Sequence, residues 1–496
     1  MLVAAGAALA LSFAPFGLWP MAIVAPAVLF ALLGSVSSLR RGAWFGFCFG
    51  IGTFVAGTYW LEISIHGFGG APLALALALM AALVALMASY HALLGAIATQ
   101  WLPRQGAVRY LLGLPAAWTL LEWLRGWAFS GFGWLSLGYS QSDTWLAGIA
   151  PFAGVHAVSF VLAMMAGALV WAWRGDARTR AWAVIILIAP WFVGRAAGTL
   201  EFTQVAGAPL GVAVVQGAIP QDQKWLDGNR DTTLARYREL TRSVLGTPLI
   251  VWPESAAPDL ANNLVPYLRE LAELAGRSHS ALVLGLIRAE PEPASGRLEY
   301  FNSVLGLDTE VAWYDKHHLV PFAEFFPVPP FVRSWLRVLN LPYSDFTHGA
   351  AVQPPLSVAG IKLSASVCYE DAYPTTRRAT DAASHALVNV TNDAWFARST
   401  ARYQHLQIAR FRALEAQRYL VRAANDGVSA VIGPHGELVA VAPEYRPVVL
   451  RAQLVPRSGS TPYLRFGNLP ILSFAAFALL AASFAGRREL SPASPV

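Results

Sequence analysis

The hydrophobic residues of this chain fall into three blocks. From Met1 to about Gly198 long apolar stretches alternate with short polar loops, residues 210–457 carry the mixed pattern of a globular domain, and one more apolar stretch follows. Apolar stretches of about 20 residues are typical of membrane-spanning helices. The pattern predicts four parts: a membrane domain with seven helices (1–200), a globular domain (205–457), a C-terminal transmembrane helix (462–488) and a short tail (489–496).

About eight membrane spans are predicted, seven before the globular domain and one after it. They lie at about residues 2–17, 19–35, 43–65, 72–101, 107–124, 145–173, 181–198 and 464–485. The first two are short, and Pro15 and Pro20 predict a tight turn between them because proline ends helices. A cleaved signal peptide is the alternative for residues 1–17, although no Lys or Arg precedes the apolar run.

Composition favours a membrane protein, and the placement of arginines predicts its orientation. Hydrophobic residues make up 55% of the chain and charged residues only 13%, with a mean hydropathy of +0.46. The short loops on one side of the predicted membrane are rich in arginine: Arg40, Arg41, Arg104, Arg109, Arg174, Arg178, Arg180, Arg487 and Arg488. The opposite loops chiefly hold Arg125 and Arg195. Basic loops stay in the cytoplasm, so we expect the globular domain to face outward, into the periplasm where the cell has one. These loops explain much of the excess positive charge, and no nucleic-acid partner is needed to account for it.

The globular domain has the pattern of a layered α/β fold. Six short apolar runs are predicted to be strands, at residues 210–215, 248–252, 281–287, 303–307, 361–367 and 386–390. Their near-continuous apolarity indicates that both faces of each strand are covered. The clearest helical patterns lie at residues 264–275 and 403–418. In such folds ligands bind beyond the carboxyl ends of the strands.

Cys368 is the most informative single residue, because it ends one of these predicted strands. The only other cysteine, Cys48, lies in the third predicted span and cannot easily reach it. Cys368 is then a lone thiol in an oxidising compartment, where structural cysteines are usually paired. A thiol at a strand end is a candidate nucleophile if a base or cation lies nearby. The alternative is a buried, inert cysteine.

Two further charged residues follow predicted strands. Glu254 comes directly after a strand in the sequence VWPES, and Lys316 follows a short β-like segment in EVAWYDKHHLVPFAEFFP. Glu324 lies eight residues after Lys316. A glutamate or lysine in such a place is usually a solvated or ion-paired group. A base, a cation and a nucleophile at three strand ends, in this order, form a far more specific pattern than any one of them.

These segments resemble the nitrilase superfamily of carbon–nitrogen hydrolases, which place a Glu-Lys-Cys triad on a four-layer α-β-β-α fold. Together with the flanking spans, the chain resembles the apolipoprotein N-acyltransferase family over nearly its whole length. The motifs that carry the resemblance are LEWLRGW (121–127), GYSQ, QDQKW, WPES, YFNS, KHHLVPFAEFFP, CYED and NVTNDAWF. The set of WPES, KHHLVPFAE and CYED is the most specific part.

The resemblance implies a mechanism that agrees with the chemistry of these side chains. Glu254 would act as general base and acid, Cys368 would form a thioester with a phospholipid acyl chain, and Lys316 would balance the oxyanion with a backbone N–H near Tyr369. The amine of an S-diacylglyceryl-cysteine apolipoprotein would then take the acyl chain by ping-pong kinetics. The implied location is the bacterial inner membrane. No cofactor and no metal are implied, and the adjacent His317 and His318 do not suggest a zinc site.

Further residues are expected to support the site or bind substrate, with an ordinary ion pair, hydrogen bond or turn as the alternative role. They are Glu324, Tyr369, Glu370, Trp225 and Asn302. The apolar segment 321–343 is expected to form a lid at the lipid interface, with Phe325, Phe326 and Trp335 as candidates, or else to fill the core.

Two other functions stay open from the sequence. One is a membrane-tethered nitrilase-type amidase that hydrolyses a soluble carbon–nitrogen substrate with water as acceptor. The other is a transporter or scaffold with an inactive nitrilase-like domain. The intact Glu254, Lys316 and Cys368 argue against the inactive domain, and the spans hold few of the ionisable residues expected along a transport route.

Overall fold

The computed structural model describes residues 1–292, 296–321, 323–325, 346–373 and 375–490. The chain forms two compact units. A helical unit comprises Met1–Glu62, Ala71–Glu201 and Phe466–Val496, and a sandwich unit comprises Ile63–Gly70 and Phe202–Arg465. The sandwich unit holds all the candidate catalytic residues.

The helical unit contains an α-helix that overlaps each of the eight predicted stretches. These are α1 (Leu2–Ala10), α2 (Met21–Leu33), α3 (Leu39–Thr58), α4 (Leu73–Gln100), α5 (Leu114–Arg125), α6 (Ala150–Arg174), α7 (Ala177–Ala197) and a C-terminal helix (Leu469–Leu490). In the described part of the chain, four helical stretches are long and apolar enough to cross a membrane: Leu73–Gln100, Trp145–Arg174, Ala177–Ala197 and Leu469–Arg488. The number of eight spans therefore stays a prediction.

The third predicted span ends earlier than expected. Helix α3 stops at Thr58, and the following turn Ile63–Phe68 belongs to the sandwich unit instead. There Ser64 Oγ donates a hydrogen bond to the Trp395 carbonyl at 2.7 Å, and the ring of Phe68 lies edge-on to Trp395. The polar residues of this turn interrupt the apolar run, which explains why the helix does not continue to residue 65.

The sandwich unit is built on two six-stranded sheets. Its strands are β1 (Thr203–Val205), β2 (Leu210–Gln216), β3 (Leu249–Val251), β4 (Ala281–Pro291), β5 (Leu298–Leu307), β6 (Val311–Asp315), β7 (Leu356–Val358), β8 (Ile361–Val367), β9 (Ala386–Thr391), β10 (Leu420–Ala424), β11 (Ala430–Ile432), β12 (Leu438–Val441), β13 (Val448–Leu454) and β14 (Arg457–Gly459). The first sheet has the order β13-β2-β3-β4-β5-β6 and the second β12-β11-β10-β9-β8-β7, while β1 pairs with β14 alone. Strands β2, β3 and β4 run parallel, as do β8, β9 and β10. All six predicted strands are present.

Among the described residues, four α-helices of six or more residues accompany the sheets: α8 (Arg230–Arg242), α9 (Val265–Arg277), α10 (Arg378–Ala383) and α11 (Ala401–Ala416). Successive strand residues point to opposite faces, so each sheet contributes to two cores. In β2, Val212 and Val214 join a core shared by both sheets, whereas Ala213 and Val215 pack with residues of α8 and α9. The second sheet packs its other face on α11. The result is the four-layer α-β-β-α order that the sequence predicts.

Three strand ends position the candidate chemistry. Strand β3 leads through Trp252 and Pro253 to Glu254, β6 leads directly to Lys316, and β8 leads directly to Cys368. Two of these strands belong to the first sheet and one to the second. The candidate site therefore lies where the carboxyl ends of strands from both sheets meet.

Candidate active site

Cys368 lies at a sharp turn between strand β8 and a short 3₁₀ helix, Cys368–Ala372. Its φ of 50° is in the left-handed region, which side chains other than glycine rarely adopt. Such a conformation costs about 1–3 kcal/mol and is found mainly at functional sites. The thiol is free and partly buried. This geometry is that of a nucleophile placed at a strand end.

The thiol of Cys368 is protonated at rest. Burial raises its pKa well above the ordinary value, the charge of Glu254 raises it further, and the charge of Lys316 only partly opposes both. Lys316 thus lowers the pKa of the Cys368 thiol, but by less than burial and Glu254 raise it. A general base is needed before Cys368 can attack.

Glu254 is the group suited to that role. Its side chain is almost completely buried, and Oε1 lies 3.9 Å from Nζ of Lys316. The main chain at Glu254 packs directly on β4, because Gly285 has no side chain there. A Cβ at Gly285 would lie 2.4 Å from the Pro253 carbonyl oxygen and 2.6 Å from Cα of Glu254. Gly285 was not predicted from the sequence, where its only signal is its place within an apolar strand.

Glu324 and Asn302 complete the acidic side of the site. The Nδ2 group of Asn302 donates to Glu254 Oε1 at 2.8 Å and to Glu324 Oε1 at 2.9 Å. Lys316 Nζ lies 2.9 Å and 2.8 Å from the two oxygens of Glu324. Burial alone would lower the pKa of Lys316, but Glu324 and Glu254 hold it above its usual value. Lys316 is thus a permanent cation between two carboxylates.

Glu370 connects the nucleophile to the lysine segment. Its carboxylate accepts hydrogen bonds from the Tyr314 hydroxyl at 2.9 Å, from the backbone N–H groups of His317 and His318 at 2.8 Å and 3.1 Å, and from that of Val367 at 2.8 Å. These donors lie on both sides of the interface between the sheets. Glu370 therefore fixes the strand end that carries Cys368 relative to the segment that carries Lys316. Burial raises the pKa of its carboxyl group.

The aromatic candidates differ in their surroundings. Tyr369 contacts Tyr373 edge-on at 5.2 Å between ring centroids, and His318 stacks on Tyr373 at 4.0 Å. Trp225 is 48% exposed and available to a ligand. The ring of Phe325 lies 5.2 Å from that of His348.

The remaining lid candidates, Phe326 and Trp335, lie outside the described residues. The lid therefore stays a prediction.

Lys224 was missed from the sequence, although it stands next to Trp225 in the QDQKW motif. It is 1% exposed, and its Nζ donates to the Glu254 carbonyl oxygen at 3.3 Å. Burial lowers its pKa to about 8, against the opposing charges of Glu254 and Asp426. Lys224 is thus a second buried amine beside Glu254, in addition to Lys316.

The structure brings Glu254, Lys316 and Cys368 close enough for their charges to act on one another, with Glu324 and Asn302 in direct contact with two of them. A protonated thiol, a buried carboxylate and a fixed cation can together perform acyl transfer through a covalent intermediate.

Comparison with known proteins gives matches for both parts of the chain. Residues 5–168 match the family model described as apolipoprotein N-acyltransferase N-terminal domain, and residues 211–463 match the model described as carbon-nitrogen hydrolase. The second match covers the sandwich unit from β2 through the last strand.

Several curated proteins are similar over nearly the whole length. A protein of Pseudomonas putida is 39% identical over 98% of this chain and 96% of its own length, and one of Methylococcus capsulatus is 40% identical over 98% and 95%. One of Vibrio parahaemolyticus is 36% identical over 98% and 96%. All three are named apolipoprotein N-acyltransferase. Among solved structures, Saccharomyces cerevisiae Nit3, a member of branch 10 of the nitrilase superfamily, aligns with a TM-score of 0.38 and 18% identity over 52% of this chain and 93% of that chain.

Proposed function

Because the chain belongs to the apolipoprotein N-acyltransferase family, with a carbon–nitrogen hydrolase domain, we propose that it moves a fatty acyl chain from a membrane phospholipid to the N-terminal amine of a diacylated lipoprotein through a thioester on Cys368. The proposal rests chiefly on one observation: the protonated Cys368 thiol lies near the Glu254 carboxylate and the Lys316 ammonium group.

In the first half-reaction Glu254 takes the thiol proton while Sγ of Cys368 attacks the ester carbonyl carbon of the phospholipid. The C–S bond forms, the C–O bond breaks, and Glu254 returns the proton to the departing alcohol oxygen of the lysophospholipid. Lys316 is already charged at rest, so it stabilises the oxyanion without proton transfer.

In the second half-reaction the lipoprotein amine attacks the thioester carbonyl carbon. The C–N bond forms, the C–S bond breaks, and the proton leaving nitrogen passes through Glu254 to the sulfur. Thiol, base and cation return to their starting states, as ping-pong kinetics requires.

We also infer that the protein lies in the bacterial inner membrane with the sandwich unit in the periplasm. Four helical stretches among the described residues are long and apolar enough to cross a membrane, and the arginine-rich loops lie on one predicted side. Fusions at the C-terminus, after Arg488, test the orientation: a fluorescent protein should fold there, and alkaline phosphatase should stay inactive. Active phosphatase at this position would contradict it.

The function is tested by incubating the purified protein with a phospholipid that carries an isotope-labelled acyl chain and measuring intact mass. We expect one labelled acyl group on Cys368, which neutral hydroxylamine removes. Cys368→Ala should remain folded and unlabelled, whereas Cys48→Ala, which changes the only other cysteine, should be labelled like the wild type.

A diacylated lipopeptide added afterwards should receive the label on its N-terminal amine. Failure to label Cys368 would contradict the proposal. Release of all the label as free fatty acid would instead favour the hydrolase alternative, in which water is the acceptor.

A further inference from the structure

The carbonyl oxygen of Cys368 is held by two buried side chains. His405 Nε2 lies 3.0 Å from this oxygen, and Asn389 Nδ2 donates to it at 3.4 Å. His405 comes from helix α11 and Asn389 from strand β9. The backbone of the nucleophile is thus bonded to two elements that carry none of the three proposed catalytic residues.

Both side chains belong to a closed ring of hydrogen bonds. His405 Nδ1 lies 2.8 Å from Asp393 Oδ1, Arg422 Nη2 donates to Asp393 Oδ2 at 2.8 Å, and Arg422 Nη1 donates to Asn389 Oδ1 at 2.8 Å. We call Asn389, Asp393, His405 and Arg422 the buried ring; each of them is at most 1% exposed. A charged group with no access to water persists only when its partners are fixed, so this ring is rigid.

One hydrogen and one charge of the buried ring follow from its contacts. A carbonyl oxygen only accepts, so Nε2 of His405 must carry a hydrogen. Burial opposes ionisation of Asp393, but Arg422 and His405 hold its pKa well below the usual value. Gly427 leaves room for this carboxylate, since a Cβ there would lie 2.7 Å from Asp393 Oδ2. Asp393 is therefore an anion that accepts from Arg422, and Nδ1 of His405 lies between Asp393 Oδ1 at 2.8 Å and Arg422 Nη2 at 3.0 Å.

We propose that the buried ring is a positioning device that sets the orientation of the peptide between Cys368 and Tyr369. A trans peptide is planar, and its C=O and N–H groups point in opposite directions. When His405 and Asn389 fix the Cys368 carbonyl, they also aim the Tyr369 N–H away from the ring, and they hold Cys368 at its positive φ.

The inference rests on the proposed function and deepens it, since the family resemblance implies that a backbone N–H near Tyr369 helps Lys316 to bind the oxyanion. Without the hydrogen-bond donor of His405, the peptide between Cys368 and Tyr369 should be able to rotate. The Tyr369 N–H would then no longer point at the oxyanion. Removal of an oxyanion donor costs about 10²–10³-fold in rate, so its misalignment should cost up to about 100-fold. A thiol held in place by β8 should lose less reactivity toward a reagent that forms no oxyanion.

The test compares two reactions of Cys368 in His405→Gln, His405→Asn and His405→Leu. Acylation by p-nitrophenyl butyrate forms an oxyanion, whereas alkylation by iodoacetamide does not. Glutamine places an amide N–H where Nε2 of histidine lies, while asparagine is too short and leucine has no donor. We expect acylation to fall about 10–100-fold in the Asn and Leu variants and to stay within about threefold in the Gln variant, with alkylation changed much less.

Gln407→Leu controls for general damage, because it replaces a buried polar residue on the same helix. Thermal unfolding should show which variants are folded. If His405→Leu does not fold, the comparison of Gln with Asn decides the matter.

Equal losses of acylation and alkylation would overturn the proposal, and so would an Asn variant as active as the Gln variant. Because p-nitrophenyl butyrate is soluble, these outcomes do not depend on whether the wild type accepts phospholipid, so failure of the proposed acyl donor is a separate result.

Discussion

The ammonium group of Lys316 and the carboxylate of Glu324 form a buried ion pair, with Nζ 2.8 Å from Oε2 and 2.9 Å from Oε1. The side chains are 1% and 12% exposed. Glu324 therefore neutralises much of the charge that Lys316 would otherwise exert on Cys368. The pairing acts in the same direction as burial and the charge of Glu254, which together raise the pKa of the Cys368 thiol despite the nearby lysine.

Removing either partner of this pair should destabilise the fold, because the other charge stays buried. We expect Glu324→Gln or Lys316→Met to lower the free energy of unfolding by about 3–5 kcal/mol and the double variant to lower it by less than the sum. A double-mutant cycle by chemical denaturation measures this coupling. The exposed pair Arg277 and Glu273, 3.6 Å apart on one helix, serves as control and should couple by less than about 0.5 kcal/mol. A Lys316–Glu324 coupling as small as the control would contradict the ion pair.

Replacing Glu370 with Gln should affect both stability and catalysis. In Glu370→Gln one carboxylate oxygen is replaced by an NH₂ group, which cannot accept hydrogen bonds from the backbone N–H groups. A buried N–H left without an acceptor costs about 1–3 kcal/mol. Thermal unfolding should report the loss, and Cys368 acylation should slow because Lys316 is no longer fixed relative to the nucleophile. A variant with unchanged melting temperature and acylation rate would show that Glu370 does not connect the two segments.

Gly285→Ala should slow acylation of Cys368 about 10–100-fold. The new methyl group would clash with the main chain of Pro253 and Glu254 and displace the Glu254 side chain. The control is Gly276→Ala, on helix α9, where an added Cβ meets nothing within 4 Å. That change should leave the rate intact and raise stability by up to about 1 kcal/mol. Rate measurements with a soluble activated ester compare the two. Equal rates would mean that the close approach at Gly285 does not position Glu254.

Trp225→Ala is expected to change substrate binding rather than folding. The side chain is half exposed, and exposed positions usually change stability by less than about 0.5 kcal/mol. We expect KM for the phospholipid to rise severalfold with an unchanged melting temperature. Leu226→Ala, at the neighbouring and even more exposed position, is the matched control. A Trp225 variant that keeps its KM but melts early would indicate a packing role.

Asp426→Asn should stabilise the protein in a pH-dependent way. Burial raises the pKa of Asp426 from 3.8 to about 6. Below about pH 4 the carboxyl group is protonated in both folded and unfolded states, so the shift has no effect on stability. Between pH 4 and 6 the unfolded state releases its proton first, so the wild type loses stability as the pH rises, by about 1–3 kcal/mol.

The melting temperature of Asp426→Asn should accordingly exceed that of the wild type at pH 7.5 and equal it at pH 4. The exposed Glu310→Gln should show no such difference between the two pH values. A gain that is the same at both pH values would point to a change in packing rather than in charge.

The sequence predicted the parts of this fold that have a local signal. Strand β8 begins and ends where its apolar run does, and Cys368 follows it as expected. The short strands β12 and β14 were missed because a three- or four-residue run that is largely exposed has no distinct period. Likewise, the turn at Ser64 was placed in a span, since only its contact with Trp395 shows where it belongs.

Only some residues of the candidate site could likewise be predicted from the sequence. Glu254, Lys316, Glu324 and Cys368 could be named from local patterns and the family resemblance. Gly285 and His405 could not, because each acts through a residue distant in the sequence that is adjacent only after folding. Lys224 was overlooked for a related reason: only the folded structure shows that it is buried beside the base.

Glu254 and Lys316 follow strands of one sheet, whereas Cys368 follows a strand of the other. The active site can therefore form only when both sheets are folded. Under the proposed mechanism neither sheet alone supplies the base, the cation and the nucleophile, so a partly folded chain or a proteolytic fragment should carry no reactive centre. A Cys368 thiol without Glu254 should not attack the surrounding lipid. Activity should thus appear only after both sheets have assembled, which would protect membrane esters from immature copies of the protein.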